Sequence, residues 1–104
     1  MTETPAAIAV SPTTGVTTVT HVSVDLNGHG QWIQPLSFPP NTVKKTSAVL
    51  ASICELSPQG PTINPQRRMT IHNIAADTGL ILIWLEVEST SDVNIRLQIL
   101  VSND

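Results

Sequence analysis

The chain has 104 residues and a formal net charge of −3, and its charged fraction of 12% is about half that of an average soluble protein. This length suits one domain. The five Lys and Arg residues are too few for phosphate-driven binding of nucleic acid. The single Cys excludes an internal disulfide. No apolar run reaches the roughly 18–20 residues of a membrane span and no signal peptide is visible at the start, so we expect cytoplasmic synthesis.

The fold class follows from the β-branched residues. Ten Val, ten Ile and thirteen Thr make up about a third of the chain, and their restricted χ1 angles suit a pleated surface. Most Pro and Gly residues lie between the apolar stretches, where they favour turns. This pattern predicts an all-β protein: a small antiparallel two-sheet sandwich of jelly-roll or Greek-key type.

The first segment, residues 1–14, is predicted to be an extended N-terminal arm, and residues 15–104 a single sandwich domain. The arm holds only one short apolar patch, at residues 6–10. A terminus of this kind frays unless it is held in place. We therefore expect the arm to pack against the chain's own sheet or against a neighbouring subunit.

The next elements are two strands joined by a glycine-rich turn. Residues 16–26 alternate between an apolar and a polar face, as in a half-buried antiparallel strand. The Asn-Gly pair in residues 27–30 predicts a hairpin turn, because such pairs adopt positive φ readily. Residues 31–38 resume as a strand, which Pro35 places at a sheet edge or interrupts because it has no N–H to donate.

Residues 43–56 have an ambiguous pattern. Val49, Leu50, Ile53 and Cys54 fit a helical stripe, whereas Leu50 and Cys54 also fit one face of a strand. Ala and Leu favour helix, but the surrounding segments and the overall composition favour strand. We predict a strand.

The last three strands have clearer patterns. Residues 67–74 place Met69 and Ile71 on one face and Ile74 on the other. Residues 80–85 are apolar on both faces and so require cover on both sides, one from the core and the other from a partner subunit. A four-residue hairpin loop is predicted at 89–92. The final strand, residues 93–101, alternates regularly except at Leu100.

The polar residues form no catalytic or metal-binding signature. The three His residues lack the spacing of a strong metal site. His21, Ser23 and Asp25 share a strand face but lack the exposed turn and the oxyanion hole that a catalytic triad needs. Cys54 has no basic residue near it in sequence, so we predict a buried, inert thiol. We expect no catalytic residue, no metal and no cofactor.

The leading functional hypothesis is a non-enzymatic structural protein that self-associates through apolar β surface. The low charge, the doubly apolar strand and the arm favour this hypothesis, because homo-oligomer interfaces are more apolar than other protein surface. Small β-sandwiches with arms occur in virion shells, head-decoration proteins and tail parts, which is an analogy of architecture. The partner is then a homo-oligomer or a larger protein assembly, and neither nucleic acid nor membrane. The predicted interface residues are Ile8, Val10, Arg67, Arg68, Ile81, Ile83, Trp84 and Leu85.

The alternative hypothesis is a small carbohydrate-binding lectin. Trp32 follows a polar, glycine-rich segment, and a tryptophan ring can stack on a sugar. Asp25, Asn27 and His29 would then bind the sugar hydroxyl groups.

Overall fold

The structure, a computed structural model, describes residues 5–9, 14–15, 19–57, 60–61 and 67–103, and for 14–15 and 60–61 only the backbone. In these ranges no helix is long and apolar enough to cross a membrane. The regular elements there are nine strands: β1 (Ile8–Ala9), β2 (Thr14–Gly15), β3 (Val19–Gly28), β4 (Gly30–Ser37), β5 (Ala48–Ser57), β6 (Gly60–Pro61), β7 (Met69–Asp77), β8 (Leu80–Val87) and β9 (Val93–Ser102).

The strands form two packed sheets, which confirms the predicted all-β class. The first sheet has the order β1-β4-β8-β7 and the second the order β2-β3-β9-β5-β6. The short β1 lies parallel to β4, and the other neighbouring strands are antiparallel. In each sheet the central strand, β8 or β9, has a long neighbour on both sides.

The core fills the space between the two sheets. Because side chains alternate between the faces of a strand, every second residue of β8 and β9 points inward. Burying one such aliphatic side chain contributes about 1.5–3 kcal/mol. The buried apolar residues are Val22, Val24, Trp32, Leu36, Phe38, Val43, Ile81, Ile83, Leu85, Val87, Val93, Ile95, Leu97, Ile99 and Val101.

Two connections that were predicted as hairpins instead carry the chain from one sheet to the other. β3 pairs with β9 and β4 with β8, so the chain changes sheets at His29, and it changes again between β8 and β9. The prediction of hairpins at 27–30 and 89–92 is therefore wrong. The positive φ falls at Gly30, at 77°. Gly28 serves close packing, since a Cβ there would lie 3.0 Å from Cη2 of Trp32.

The ambiguous segment is a strand, as predicted, although β5 begins only at Ala48. Residues 43–47 form the preceding loop, in which Val43 is buried in the core. Ser47 donates its backbone N–H to the carbonyl of Lys44 at 3.0 Å, and its hydroxyl accepts from the Lys44 N–H at 2.9 Å. This turn separates the buried Val43 from the strand.

A β-bulge changes the faces of β7. The register with β8 shifts between Ile71 and Asn73, so His72 is an extra residue in this strand. Residues beyond a bulge exchange faces. Ile74 therefore packs against the core with Met69 and Ile71, and its predicted placement on the opposite face is wrong.

The described parts of the predicted arm lie at the edges of the chain's own sheets. Ile8 and Ala9 pair with Leu36 and Ser37 of β4, and β2 pairs with Thr20 and His21 of β3. Ile8 also packs against the core. The division of the chain at residue 14 stays a prediction, and residues 16–18 of the predicted first strand lie outside the described residues.

Candidate interaction surfaces

Three of the predicted interface residues are core residues. Ile81, Ile83 and Leu85 point between the sheets and are fully buried. Their prediction as interface residues is therefore wrong, because a side chain enclosed by its own core cannot reach a second molecule while the two sheets stay packed. Ile8 is half-buried, and Val10 lies outside the described residues.

The predicted arginine pair is engaged within the chain. Arg67 Nε lies 3.3 Å from Glu55 Oε2, and its Nη1 donates to Ser89 Oγ at 3.1 Å. Arg68 Nε lies 3.6 Å from Glu88 Oε2. Exposed ion pairs of this type contribute about 0–1 kcal/mol to stability. These contacts hold the start of β7 near β5 and the end of β8, and an intermolecular role of the pair stays a prediction.

Trp84 lies on the outer face of the first sheet and is 36% exposed. Its Nε1 donates to Gln31 Oε1 at 3.3 Å. Its ring packs against His72 with a centroid distance of 4.6 Å, and His72 Nε2 lies 2.8 Å from Glu86 Oε1. A shallow cleft of about 160 Å³ adjoins the ring and is lined by Ile33, Asn73, Ala75, Leu82 and Trp84. This face therefore combines an aromatic ring, held by Gln31 and His72, with the apolar side chains of Ile33, Ala75 and Leu82.

Three large apolar side chains are exposed on the outer face of the second sheet: Leu50 at 70%, Leu100 at 42% and Val19 at 37%. We call them the second-sheet patch. Leu100 of β9 lies directly between Leu50 of β5 and His21 of β3 in the strand register, and a groove of about 360 Å³ runs beside them. None of the three patch residues is among the predicted interface residues. The sequence feature that indicates the patch is Leu100, an apolar residue at a position where the regular alternation of the last strand predicts a polar one.

Further along β3 and β9, polar side chains on the same face bond to one another across the strands. Arg96 donates from Nε to Asp25 Oδ1 at 2.8 Å and from Nη2 to Oδ2 at 3.3 Å. The hydrogen bonds from Arg96 hold the pKa of Asp25 below its ordinary value of 3.8. Asn27 Nδ2 donates to Asn94 Oδ1 at 2.8 Å. Among the described residues of this face, the exposed large apolar side chains thus lie at one end of the sheet.

Replacing Arg96 with Gln is expected to raise the pKa of Asp25 towards 3.8. Because the folded-state pKa is lowered, the pair stabilises the fold above the unfolded-state pKa, and the contribution is lost as pH falls through the folded-state pKa. An NMR titration of the Asp25 carboxyl carbon measures the change. Arg96→Lys is the control, because it keeps the positive charge but cannot form the bidentate hydrogen bonds to Asp25. An unchanged pKa in Arg96→Gln would contradict the assignment.

The four residues of the carbohydrate hypothesis do not form one sugar-binding surface. Trp32 is 7% exposed, and its Nε1 donates inward to Gln34 Oε1 at 3.2 Å. Asn27, Trp32 and His29 line a cleft of about 300 Å³, in which His29 Nδ1 lies 2.7 Å from Asp92 Oδ1. Asp25 lies apart, bound to Arg96. Because only 7% of Trp32 is exposed, little of its indole is available for a sugar ring to stack on.

In the described part of the chain, the arrangement of the His, Cys, Asp and Glu side chains bears on metal binding, and the burial of Cys54 bears on its thiol chemistry. No three His, Cys, Asp or Glu side chains there are grouped so that they could hold a metal ion. Cys54 is only half-buried, and it lies opposite Arg96 in the strand register. The prediction of a buried thiol with no basic neighbour is therefore wrong, since strand pairing brings together residues far apart in sequence.

Compared with known proteins, the chain matches no family model, no curated protein and no solved structure.

Proposed function

We propose that this protein is a non-enzymatic structural subunit that self-associates through apolar β surface. The observation that carries the proposal is the second-sheet patch, in which Leu50, Leu100 and Val19 face solvent together. Trp84 is exposed on the opposite outer face. Since the two faces point in opposite directions, one subunit has surface for two neighbours.

The energetics favour contact at these surfaces. Burying apolar surface contributes about 25 cal/mol per Å², and contiguous apolar patches on soluble proteins commonly mark interaction sites. The chain carries few charges, and several of them are paired within the fold, as in Asp25–Arg96 and Glu55–Arg67. Little desolvation of unpaired charge would therefore oppose association.

The setting that we propose is a virion component, such as a shell, head-decoration or tail protein, made in the cytoplasm. The support is architectural: two packed sheets and terminal strands laid along their edges. We also propose a Greek-key or jelly-roll topology. In its favour, β9 lies between β3 and β5, which are both distant from it in sequence.

Purified protein at micromolar concentration is expected to form an oligomer, and Leu100→Asp is expected to shift it strongly towards the 11.1 kDa monomer. A carboxylate at this position must lose its hydration when the patch is covered, which opposes association. Size-exclusion chromatography with light scattering measures the mass. Asn94→Asp is the matched control, because it adds the same charge on the same strand and face, outside the patch.

A native mass near 11.1 kDa at all concentrations would overturn the proposal. Equal dissociation by Leu100→Asp and Asn94→Asp would show that net charge, rather than the patch, controls association. Tryptophan fluorescence with added sugars tests the lectin alternative separately, since Trp32 lines the cleft beside Asn27 and His29 and would report a ligand bound there.

A further inference from the structure

The outer edge of β5 has no strand beside it in the described part of the chain. Among the described residues, 48–55 pair with β9 on one side, and on the other side β6 pairs with Leu56 and Ser57. An uncovered edge presents a row of backbone N–H and C=O groups that another strand can bind.

The other sheet edges carry features that discourage strand addition. β3 has the charged Asp25 near its middle, β4 contains Pro35, which has no N–H, and β7 has the bulge at His72. By contrast, residues 48–54 of β5 (Ala-Val-Leu-Ala-Ser-Ile-Cys) contain no charge, no Pro and no Gly. Proteins usually protect a long edge strand with such features, so their absence distinguishes β5.

Burial is also incomplete on this side of the sandwich. The inward residues of β5 that pack against the core, Val49, Ala51 and Ile53, are only half-buried. Ile71 and Ile74 of β7, at the same side of the other sheet, are half-buried as well. A further strand beside β5 would cover apolar side chains in addition to the backbone edge.

We propose that β5 pairs antiparallel with β5 of a second copy, around a twofold axis at Ala51. The inference rests on the proposed function and specifies its interface. In this register Ala48 lies opposite the partner's Cys54, Val49 opposite the partner's Ile53, and Leu50 opposite the partner's Ser52. The two copies of Leu50 become diagonal neighbours at about 7–8 Å, so the second-sheet patches of both copies lie on one continuous face.

Charge and register select a second copy as the occupant. Lys44 and Lys45 are exposed just before β5 and form no ion pair within the described residues, and Glu55, at the end of β5, is bound by Arg67 of its own chain. Antiparallel twofold pairing about Ala51 places Ser47 opposite the partner's Glu55, so this register brings no two carboxylates together. The same operation at β3 would bring two Asp25 carboxylates together, which is unfavourable.

The register with its axis at Ala51 also pairs the whole charge-free stretch, residues 48–54. Centring the axis on Ser52 would place Glu55 opposite the partner's Val49. Centring it on Leu50 would leave only residues 48–52 paired within the strand. With the axis at Ala51, residues 48–54 all pair with the second copy, and Leu56 and Ser57 keep their pairing with β6.

Ala48→Cys tests this register. Directly opposite residues of antiparallel strands have Cα atoms about 4.5–5.5 Å apart, which fits a disulfide. Within one chain, positions 48 and 54 are about 20 Å apart along the strand and cannot be bridged. Under mild oxidation the variant is expected to convert to a disulfide-linked dimer on a non-reducing gel. Ala48 is exposed, so the fold tolerates the change, which circular dichroism checks.

Two controls define the outcomes. Ala48→Cys combined with Cys54→Ser is expected to lose the cross-link, and Thr90→Cys, in an exposed loop, is expected to give none beyond random collision. An Ala48→Cys protein that stays uncross-linked while light scattering shows an oligomer would overturn the β5 pairing and leave the proposed function intact. A monomer that does not cross-link would overturn both. A cross-link equally strong in Thr90→Cys would count against the pairing.

Discussion

Replacing Trp32 with Ala is expected to lower the free energy of unfolding by about 3–5 kcal/mol, close to the whole stability of many small domains. The indole is buried in the core, where it packs over Gly28. Its loss also removes the hydrogen bond from Nε1 to Gln34 Oε1. Gln34 is itself buried and is bound otherwise through Nε2 to the Pro35 carbonyl, so an unsatisfied acceptor adds to the cavity.

Trp84→Ala is the matched control, because it removes the same side chain from the outer face of the same sheet. We expect it to lower the free energy of unfolding much less than Trp32→Ala does. Denaturation in guanidinium chloride, followed by far-UV circular dichroism, measures both variants. A larger loss of stability from Trp84→Ala than from Trp32→Ala would contradict the placement of the two rings.

The strands were the predictable part of this fold because their patterns are local. In β9 the residues Ile95, Leu97 and Ile99 alternate with polar ones, and the structure buries all three. In β8 both sets of alternating residues are apolar, so local pattern does not decide which face is inward. The pairing of β8 with β4 and β7 decides which face is inward, because Ile83 lies between Gln34 and Ile74, whose side chains also point inward.

The sheet assignments and the surface patch depend on information that is not local. His29 looked like part of a hairpin turn because Asn-Gly pairs favour such turns, but the pairing of β3 with β9 makes it a crossing between sheets. Likewise Leu50 and Leu100 are 50 residues apart in sequence and meet only through the pairing of β5 with β9. Each was visible in the sequence as an apolar residue, but their common surface was not.

Ile83→Ala is expected to lower the free energy of unfolding by about 2–5 kcal/mol, whereas Leu50→Ala is expected to change it by less than about 0.5 kcal/mol. Ile83 is fully buried between the sheets and its truncation leaves a cavity, while Leu50 is 70% exposed and loses few contacts within its own chain. Urea denaturation at a concentration where the protein is monomeric measures both, because association would itself stabilise the folded state.

The same two variants are expected to behave in the opposite order in self-association. Leu50→Ala removes exposed apolar surface from the patch and should weaken the oligomer at concentrations where its fold is unchanged. Ile83→Ala alters no exposed surface, so any loss of oligomer should follow its loss of folded protein. If Ile83→Ala dissociated a fully folded oligomer, the inward face of β8 would be the interface and its placement in the core would be wrong. A stable, fully associated Leu50→Ala protein would instead remove the second-sheet patch from the interface.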